Sequence, residues 1–189
     1  MMNQKNNYAF IDSQNVNLGI REAGWKLDFK KFRVYLKDKY DVEKAYLFIG
    51  LIPENQNLYR ALQEYGYILI FKPIMKTADG TVKGNVDAEL VLQAMIDFKK
   101  YNLAVVVSND GDFYCLVNYL YEKKKLGIVL SPNYGKCSAL LKKGAREKIA
   151  FMNNLAGKLA VKWKSTAWRR NTKKCFSLVI MNQVYEAYI

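Results

Sequence analysis

The stretch Ala104-Val105-Val106-Val107-Ser108-Asn109-Asp110-Gly111-Asp112-Phe113 decides how this chain folds. Its apolar run is too short for a helix and does not alternate with polar residues, which is typical of a strand buried on both faces of a parallel sheet. Two carboxylates, Asp110 and Asp112, follow the strand directly. Because open α/β sheets bind ligands beyond the carboxyl ends of their strands, we expect these acids to lie in a functional crevice.

Strand-like and helix-like segments alternate on both sides of this stretch. Strands are predicted at 8–12, 44–49, 67–71, 103–108 and 126–130, and helices at 30–40, 55–65, 85–100, 112–125, 137–143 and 147–159. Polar loops are predicted at 13–17 and 76–84. Crossovers this long favour parallel pairing, so we predict a three-layer α/β/α, Rossmann-like fold with a central, mostly parallel sheet of about five strands.

The composition limits the chemistry that is available to the chain. Histidine is absent, and Cys115, Cys137 and Cys175 have no metal-ligand spacing, which excludes histidine-based triads and disfavours a zinc site. The formal net charge of +13 favours a nucleic acid or an anionic membrane surface as partner. No long amphipathic helix, membrane-spanning run or signal peptide is visible, so we expect a cytoplasmic protein with reduced thiols and no membrane partner.

Four aspartates can meet at one edge of the predicted sheet. Asp12 ends the first strand, Asp87 opens a helix, and Asp110 and Asp112 follow the fourth strand. If the first and fourth strands are neighbours, these side chains come together, and clustered carboxylates repel one another unless a cation lies among them. Oxygen ligands suit Mg²⁺ or Mn²⁺, which can generate hydroxide from water and stabilise phosphoryl transfer.

Each of these acids also has a purely structural explanation. Asp112 can cap the next helix, Asp87 lies in a first turn that favours carboxylates, and Asn109-Asp110-Gly111 is a good turn. Asp12 is harder to explain in this way, because no turn glycine follows it. The conjunction of four acids at one edge favours a function.

Three sequence blocks resemble the signature motifs of NYN domains, a branch of the PIN-like nuclease superfamily that includes LabA-like proteins. The blocks are Phe10-Ile11-Asp12-Ser13-Gln14-Asn15, Lys83-Gly84-Asn85-Val86-Asp87 and the stretch from Val106 to Phe113. The resemblance covers residues 7 to 155 and implies a PIN-like fold and divalent-metal-dependent cleavage of RNA.

The resemblance also implies residue roles. It assigns metal binding and catalysis to Asp12, Asp87, Asp110 and Asp112, and support of the site to Asn15 and Ser108. The chain departs from the family pattern at two places. Asn109 stands where a small residue is usual, and Ser131, Pro132 and Asn133 stand where many PIN nucleases keep a further acid.

Two groups of residues are candidates for nucleic-acid contacts. Lys76 and Lys83 precede Asp87 and are placed to touch a phosphate near the acids. A second group lies in the basic, aromatic segment near the end of the chain: Trp163, Trp168, Arg169 and Arg170. These residues can bind single-stranded RNA by stacking and charge neutralisation, or form a solvated basic tail with its tryptophans against the core.

We therefore predict an NYN (PIN-like) domain over residues 1–157 and a basic, aromatic extension over residues 158–189. The leading functional hypothesis is a Mg²⁺- or Mn²⁺-dependent endoribonuclease. The alternatives are a non-catalytic RNA-binding or regulatory protein-interaction module, and a DNA-directed flap-type nuclease. Whether two copies form a homodimer is left open by the sequence.

Overall fold

A computed structural model describes residues 6–73, 75–76, 82–83 and 86–162 of the chain. Six strands of this part form one sheet whose neighbouring strands are all parallel. The strands, in sheet order, are β3 (Tyr67–Pro73), β2 (Val42–Leu51), β1 (Asn7–Asp12), β6 (Ala104–Val107), β7 (Leu126–Ser131) and β8 (Ile149–Phe151). Two short strands, β4 (Met75–Lys76) and β5 (Val82–Lys83), pair with each other antiparallel.

Helices cover both faces of the sheet. They are α1 (Ser13–Glu22), α2 (Phe29–Tyr40), α3 (Gln56–Glu64), α4 (Asp87–Ile96), α5 (Tyr114–Glu122), α6 (Ala139–Ala145) and α7 (Ala156–Leu159). Helices α1, α2, α3 and α7 pack on the face that carries Ala9 and Ile11, and α4, α5 and α6 pack on the face that carries Tyr8 and Phe10. This period of two in β1 places the core on both sides of one sheet and confirms the three-layer α/β/α prediction.

The pairing of β1 with β6 brings the predicted site together. Ile11 lies opposite Val107 in the parallel register, so both strands end at the same edge of the sheet. Asp12 is the last residue of β1, and Ser108 directly follows β6. The condition for the aspartates to meet, that the first and fourth predicted strands are neighbours, is therefore fulfilled by β1 and β6.

The structure corrects the prediction of a polar loop after the first strand. Helix α1 begins at Ser13, directly after β1. Asp12 caps this helix, because its side chain accepts a hydrogen bond of 3.0 Å from the Asn15 backbone N–H. Val16 and Ile20 are buried on the core face of the helix. The sequence did not predict this helix because its first residues are polar and only Val16 and Ile20 show the helical spacing of apolar residues.

The structure also corrects two segments further along the chain. The predicted helix at 147–159 contains the strand β8, which pairs with β7 and raises the sheet to six strands. Its residues alternate between the two faces, since Ile149 and Phe151 join one core cluster and Ala150 joins the other. Within the predicted loop at 76–84, the structure places the pairing of β4 with β5.

Packing of the domain continues past residue 157. Leu159 in α7 is buried, and Ala160 pairs with Leu27 through an isolated bridge. The Lys31 Nζ also donates a hydrogen bond of 2.7 Å to the Ala160 carbonyl. The extension proposed for residues 158–189 stays a prediction. Within the described ranges, no helix has both the length and the apolar character that are needed to cross a membrane.

Candidate metal centre at the carboxyl edge of the sheet

Three carboxylates converge where β6 ends and α4 begins. One oxygen each from Asp87, Asp110 and Asp112 lies within 4.8 Å of the other two. Asp87 and Asp110 are half-buried, whereas Asp112 is exposed. Mg²⁺ binds oxygens at about 2.1 Å, which places its ligand oxygens within about 4.2 Å of one another. Small side-chain rotations therefore suffice for this cluster to hold Mg²⁺ or Mn²⁺, and the donor set fits such an ion.

Asp12 lies beside this cluster and is only 5% exposed. The pKa of Asp12 is raised from 3.8 to about 7, mainly by burial and also by the negative charges of Asp87 and Asp110. The backbone N–H groups of Asn15 and Gln14 act in the opposite direction and stabilise the carboxylate. A cation bound beside Asp12 would offset the effect of the Asp87 and Asp110 charges on this carboxyl group.

The predicted supporting residues connect the two strand ends. The Asn15 Oδ1 accepts a hydrogen bond of 2.7 Å from the Asn109 backbone N–H, which ties helix α1 to the turn after β6. The Ser108 Oγ accepts a hydrogen bond of 3.1 Å from the Asp110 backbone N–H. Asp110 in turn caps the short 3₁₀ turn at 111–113, since its Oδ1 accepts from the Asp112 N–H at 3.0 Å. These bonds fix the backbone from which Asp110 and Asp112 project.

Asn109 is the centre of a buried polar network that the sequence did not predict. Its Oδ1 accepts hydrogen bonds from the Ser131 Oγ at 2.6 Å and from the Asn133 N–H at 3.3 Å. Its backbone carbonyl accepts from the Ser138 N–H at 3.0 Å. The two departures from the family pattern are thus one feature, because the Asn109 amide oxygen accepts hydrogen bonds from residues that stand where many PIN nucleases keep a further acid. Uncharged polar residues at neighbouring strand ends were the only signal.

Gly19 in α1 lies directly against this network. A Cβ at this position would lie 2.8 Å from the Asn109 Nδ2 and 3.1 Å from the Pro132 Cβ. Alanine normally stabilises a helix by about 1 kcal/mol relative to glycine, but the crowding here reverses the sign. We expect Gly19→Ala to lower the free energy of unfolding by about 1–3 kcal/mol, measured by urea denaturation.

Gly157 in α7 provides the matched control for this prediction. Around the position of its Cβ, no atom of the described residues lies within 4 Å. Gly157→Ala is therefore expected to leave the stability unchanged or to raise it by up to about 1 kcal/mol. A Gly19→Ala protein that is as stable as Gly157→Ala would contradict the close packing of α1 on the Asn109 turn.

Of the residues predicted to contact nucleic acid, only Lys76 and Lys83 lie within the described part of the chain. Lys76 lies opposite Val82 and Lys83 opposite Met75 in the antiparallel pair of β4 and β5, which precedes α4 in the chain. Only the backbone of these strands is described, so the predicted phosphate contacts of both lysines stay a prediction. The other predicted contacts, Trp163, Trp168, Arg169 and Arg170, lie outside the described residues.

Comparison with known proteins agrees with this arrangement. The chain is 28% identical over 125 residues to the "Low amplitude and bright protein LabA" of Synechococcus elongatus. The matched region covers 61% of this chain and 67% of that protein. A crystal structure of a protein of unknown function from Vibrio parahaemolyticus superposes with a TM-score of 0.68. At 22% identity, over 85% of this chain and 99% of that one, this likeness shows the shared fold.

The sequence model of the NYN domain family matches residues 8–150. This range includes the strands β1 and β6 and all four aspartates of the candidate centre. The similarity to LabA supports the LabA-like branch that the sequence motifs suggested. This chain is a member of the NYN domain family, which belongs to the PIN-like nuclease superfamily.

Proposed function

We propose that this protein is a divalent-metal-dependent ribonuclease that hydrolyses phosphodiester bonds in RNA. The observation that carries the proposal is the convergence of Asp87, Asp110 and Asp112 within 4.8 Å, with the buried Asp12 beside them. Exposed acidic groups alone would carry little weight, but here a carboxylate with a strongly raised pKa adjoins the cluster. Membership of the NYN domain family supports the same chemistry.

Each aspartate has a distinct part in this proposal. Asp87, Asp110 and Asp112 would hold Mg²⁺ or Mn²⁺, and the buried Asp12 beside them would contribute a further negative charge. When bound, the cation supplies positive charge to the scissile phosphate and makes water acidic enough to be deprotonated near neutral pH. Ser108 and Asn15 hold the turn of Asp110 in place through the two hydrogen bonds described above. Asp112, which is exposed, lies on the side from which a substrate can approach.

The substrate class follows from charge and access. The formal net charge of +13 attracts a polyanion, and we propose RNA because of the family. Because the exposed Asp112 makes the cluster accessible from the surface, an RNA strand need not enter by its end, which favours internal cleavage. Cys115 and Cys137 are free thiols, which suits a reducing compartment such as the cytoplasm.

The proposal is tested by incubating purified protein with labelled linear and circular RNA in the presence of Mn²⁺ or Mg²⁺. We expect both RNAs to be cut, EDTA to stop the reaction, and excess Mn²⁺ to restore it. A DNA of the same sequence is expected to be cut more slowly. The products are measured on denaturing gels, where opening of the circular RNA reports internal cleavage.

Other outcomes of this assay would contradict the proposal in different ways. Cleavage that survives EDTA would remove the role of the divalent ion. RNA binding without cleavage, unaffected by EDTA and weakened steeply by salt, would favour the non-catalytic binding module. Preferential cutting of DNA would favour the DNA-directed nuclease.

A further inference from the structure

An exposed aromatic ring lies on a fixed turn after β7. Tyr134 is 60% exposed. Its backbone N–H donates a hydrogen bond of 2.9 Å to the Asn153 Oδ1, and its carbonyl accepts one of 3.4 Å from the Lys142 Nζ. The turn is closed by the Asn133 Oδ1, which accepts from the Gly135 N–H at 3.0 Å. The ring is therefore exposed to solvent, and three hydrogen bonds fix the backbone of the turn that carries it.

The surroundings of this ring combine aromatic and cationic groups. The Phe151 ring lies edge-on at a centroid distance of 4.8 Å from the Tyr134 ring. The Lys142 Nζ lies 4.5 Å from the Tyr134 ring centroid and 5.9 Å from that of Phe151. Aromatic rings beside lysines are the components with which proteins bind single-stranded nucleic acid, by base stacking and phosphate neutralisation.

The charge around Tyr134 is one-sided. Residues 134–146 contain Lys136, Lys142, Lys143 and Arg146 but no Asp or Glu. Arg146 is engaged elsewhere, since it pairs with Glu122 at 2.6 Å. The Lys136 side chain is 63% exposed, and its Nζ lies 3.9 Å from a Glu22 carboxylate oxygen. An exposed ion pair at this distance is weak, so Lys136 can exchange that partner for a phosphate at little cost.

The turn also packs against the acidic cluster. The Ser138 N–H donates to the Asn109 carbonyl at 3.0 Å, one residue before Asp110. A Cβ at Gly111, between the two aspartates, would lie 2.5 Å from the Ser138 Oγ. Because Tyr134 is only four residues from Ser138, their Cα atoms lie within about 13 Å of each other. The ring is thus within reach of a nucleotide strand that occupies the cluster.

From these observations we infer that Tyr134 is a stacking platform for a base of single-stranded RNA. Lys136 and Lys142 neutralise the neighbouring phosphates, and the platform aligns the strand across the aspartate cluster. The inference rests on the proposed function for the identity of the polymer. It concerns binding, however, and it is tested separately from cleavage.

The test measures RNA affinity of the full chain in EDTA, by fluorescence anisotropy with a labelled, unstructured RNA of mixed sequence. We expect Tyr134→Ala to raise the Kd roughly tenfold, whereas Tyr134→Phe and Tyr134→Trp keep it within about twofold, because stacking needs a ring. Circular dichroism confirms that each variant is folded.

Tyr119→Ala is the matched control. Tyr119 is a 40% exposed tyrosine on α5, and the Lys123 Nζ lies 5.6 Å from its ring centroid. Like Tyr134, it contacts one phenylalanine ring and one lysine, but these are Phe98 and Lys123, which are not part of the Tyr134 turn. We therefore expect its replacement to leave the Kd unchanged. Lys136→Gln and Lys142→Gln are each expected to reduce the slope of log Kd against log salt by roughly 0.7, and Tyr134→Ala is expected to leave the slope unchanged.

The outcomes separate this inference from the proposed nuclease activity. Loss of affinity in Tyr134→Ala supports the platform even if the wild type proves unable to cut RNA. Wild-type affinity in Tyr134→Ala, or equal losses in Tyr134→Ala and Tyr119→Ala, would overturn the platform even if the wild type cuts RNA. A wild-type protein without measurable affinity for RNA would overturn it as well, as would a Tyr134→Phe variant that loses as much affinity as Tyr134→Ala.

Discussion

Asp110→Asn is expected to abolish RNA cleavage without weakening the fold. The carboxylate of Asp110 belongs to the cluster and, like that of Asp87, also acts on Asp12, so its charge contributes to both parts of the site. Removal of a single electrostatic stabiliser commonly lowers a turnover rate by about 10²–10³-fold, and we expect at least that loss here. The rate is measured under single-turnover conditions with excess protein and Mn²⁺.

The expected stability of this variant separates a catalytic role from a structural one. Asparagine keeps an oxygen that can accept the Asp112 N–H, which Asp110 now binds at 3.0 Å, and asparagine caps helical turns as well as aspartate does. The substitution also removes one negative charge from a group of clustered carboxylates, which lowers their mutual repulsion. In EDTA, the melting temperature of Asp110→Asn should therefore equal or exceed that of the wild type.

Asp38→Asn is the control, since Asp38 is an exposed aspartate on α2, which leads to the start of β2 and so to the opposite edge of the sheet. This variant should cut RNA at the wild-type rate. A cleavage rate within about twofold of the wild type in Asp110→Asn would contradict the proposed metal centre, because a ligand of that ion cannot be dispensable. A loss of activity that comes with a large fall in melting temperature would instead indicate a structural role.

The sequence was sufficient to predict five of the six strands of the parallel sheet and the convergence of acids at its edge. The runs at 8–12 and 104–107 are apolar on both faces, and a parallel sheet places acids that follow such strands at one edge. Helix α1 escaped prediction because its first residues are polar and only Val16 and Ile20 mark its core face. Strand β8 escaped because it is three residues long, too short for alternation to stand out.

Other parts of the site depend on tertiary contacts and could not be predicted from the sequence. The Asn109 network needs Ser131 and Asn133 to meet it across two strands, which is a property of sheet order and side-chain orientation. Asp12 caps helix α1 and is buried, and its burial is a property of the folded chain that no local pattern marks. The exposure of the Tyr134 ring depends on the hydrogen bonds of its turn, such as the one to Asn153, whereas in the sequence Tyr134 is only one of 14 tyrosines.

Asp12→Asn is expected to stabilise the metal-free protein in a manner that depends on pH. In the unfolded chain Asp12 ionises near 3.8, but burial and the charges of Asp87 and Asp110 raise the pKa to about 7 in the folded protein. Between these values folding takes up a proton, so the free energy of unfolding falls as the pH rises from about 4 to about 7. Asparagine is neutral throughout this range and does not incur that loss.

The size and the sign of this effect can be measured in urea titrations with EDTA at pH 4 and pH 8. One pKa unit corresponds to about 1.4 kcal/mol, so a rise of about three units gives an upper limit of about 4 kcal/mol, and we expect a gain of about 2–4 kcal/mol at pH 8. At pH 4 Asp12 is protonated in the folded wild type and partly protonated in the unfolded chain, so most of the loss is absent and the two proteins should be nearly equal. The Asn15 N–H donates a hydrogen bond of 3.0 Å to Asp12, and an asparagine oxygen at this position can accept that hydrogen bond equally well.

Asp28→Asn makes the same substitution at a second helix cap and shows whether the gain is specific to the site. Asp28 accepts from the Lys31 N–H at 3.1 Å and lies 3.6 Å from the Lys31 Nζ, so its replacement removes an ion pair and should stabilise the protein at neither pH. Saturating Mn²⁺ should raise the stability of the wild type at pH 8 more than that of Asp12→Asn, because the negative charge of Asp12 strengthens binding of the cation and tighter binding to the folded state stabilises it more. If Asp12→Asn were no more stable than the wild type at pH 8 in EDTA, the pKa of Asp12 would not be raised in the folded protein, and this carboxylate would no longer support the metal centre beside it.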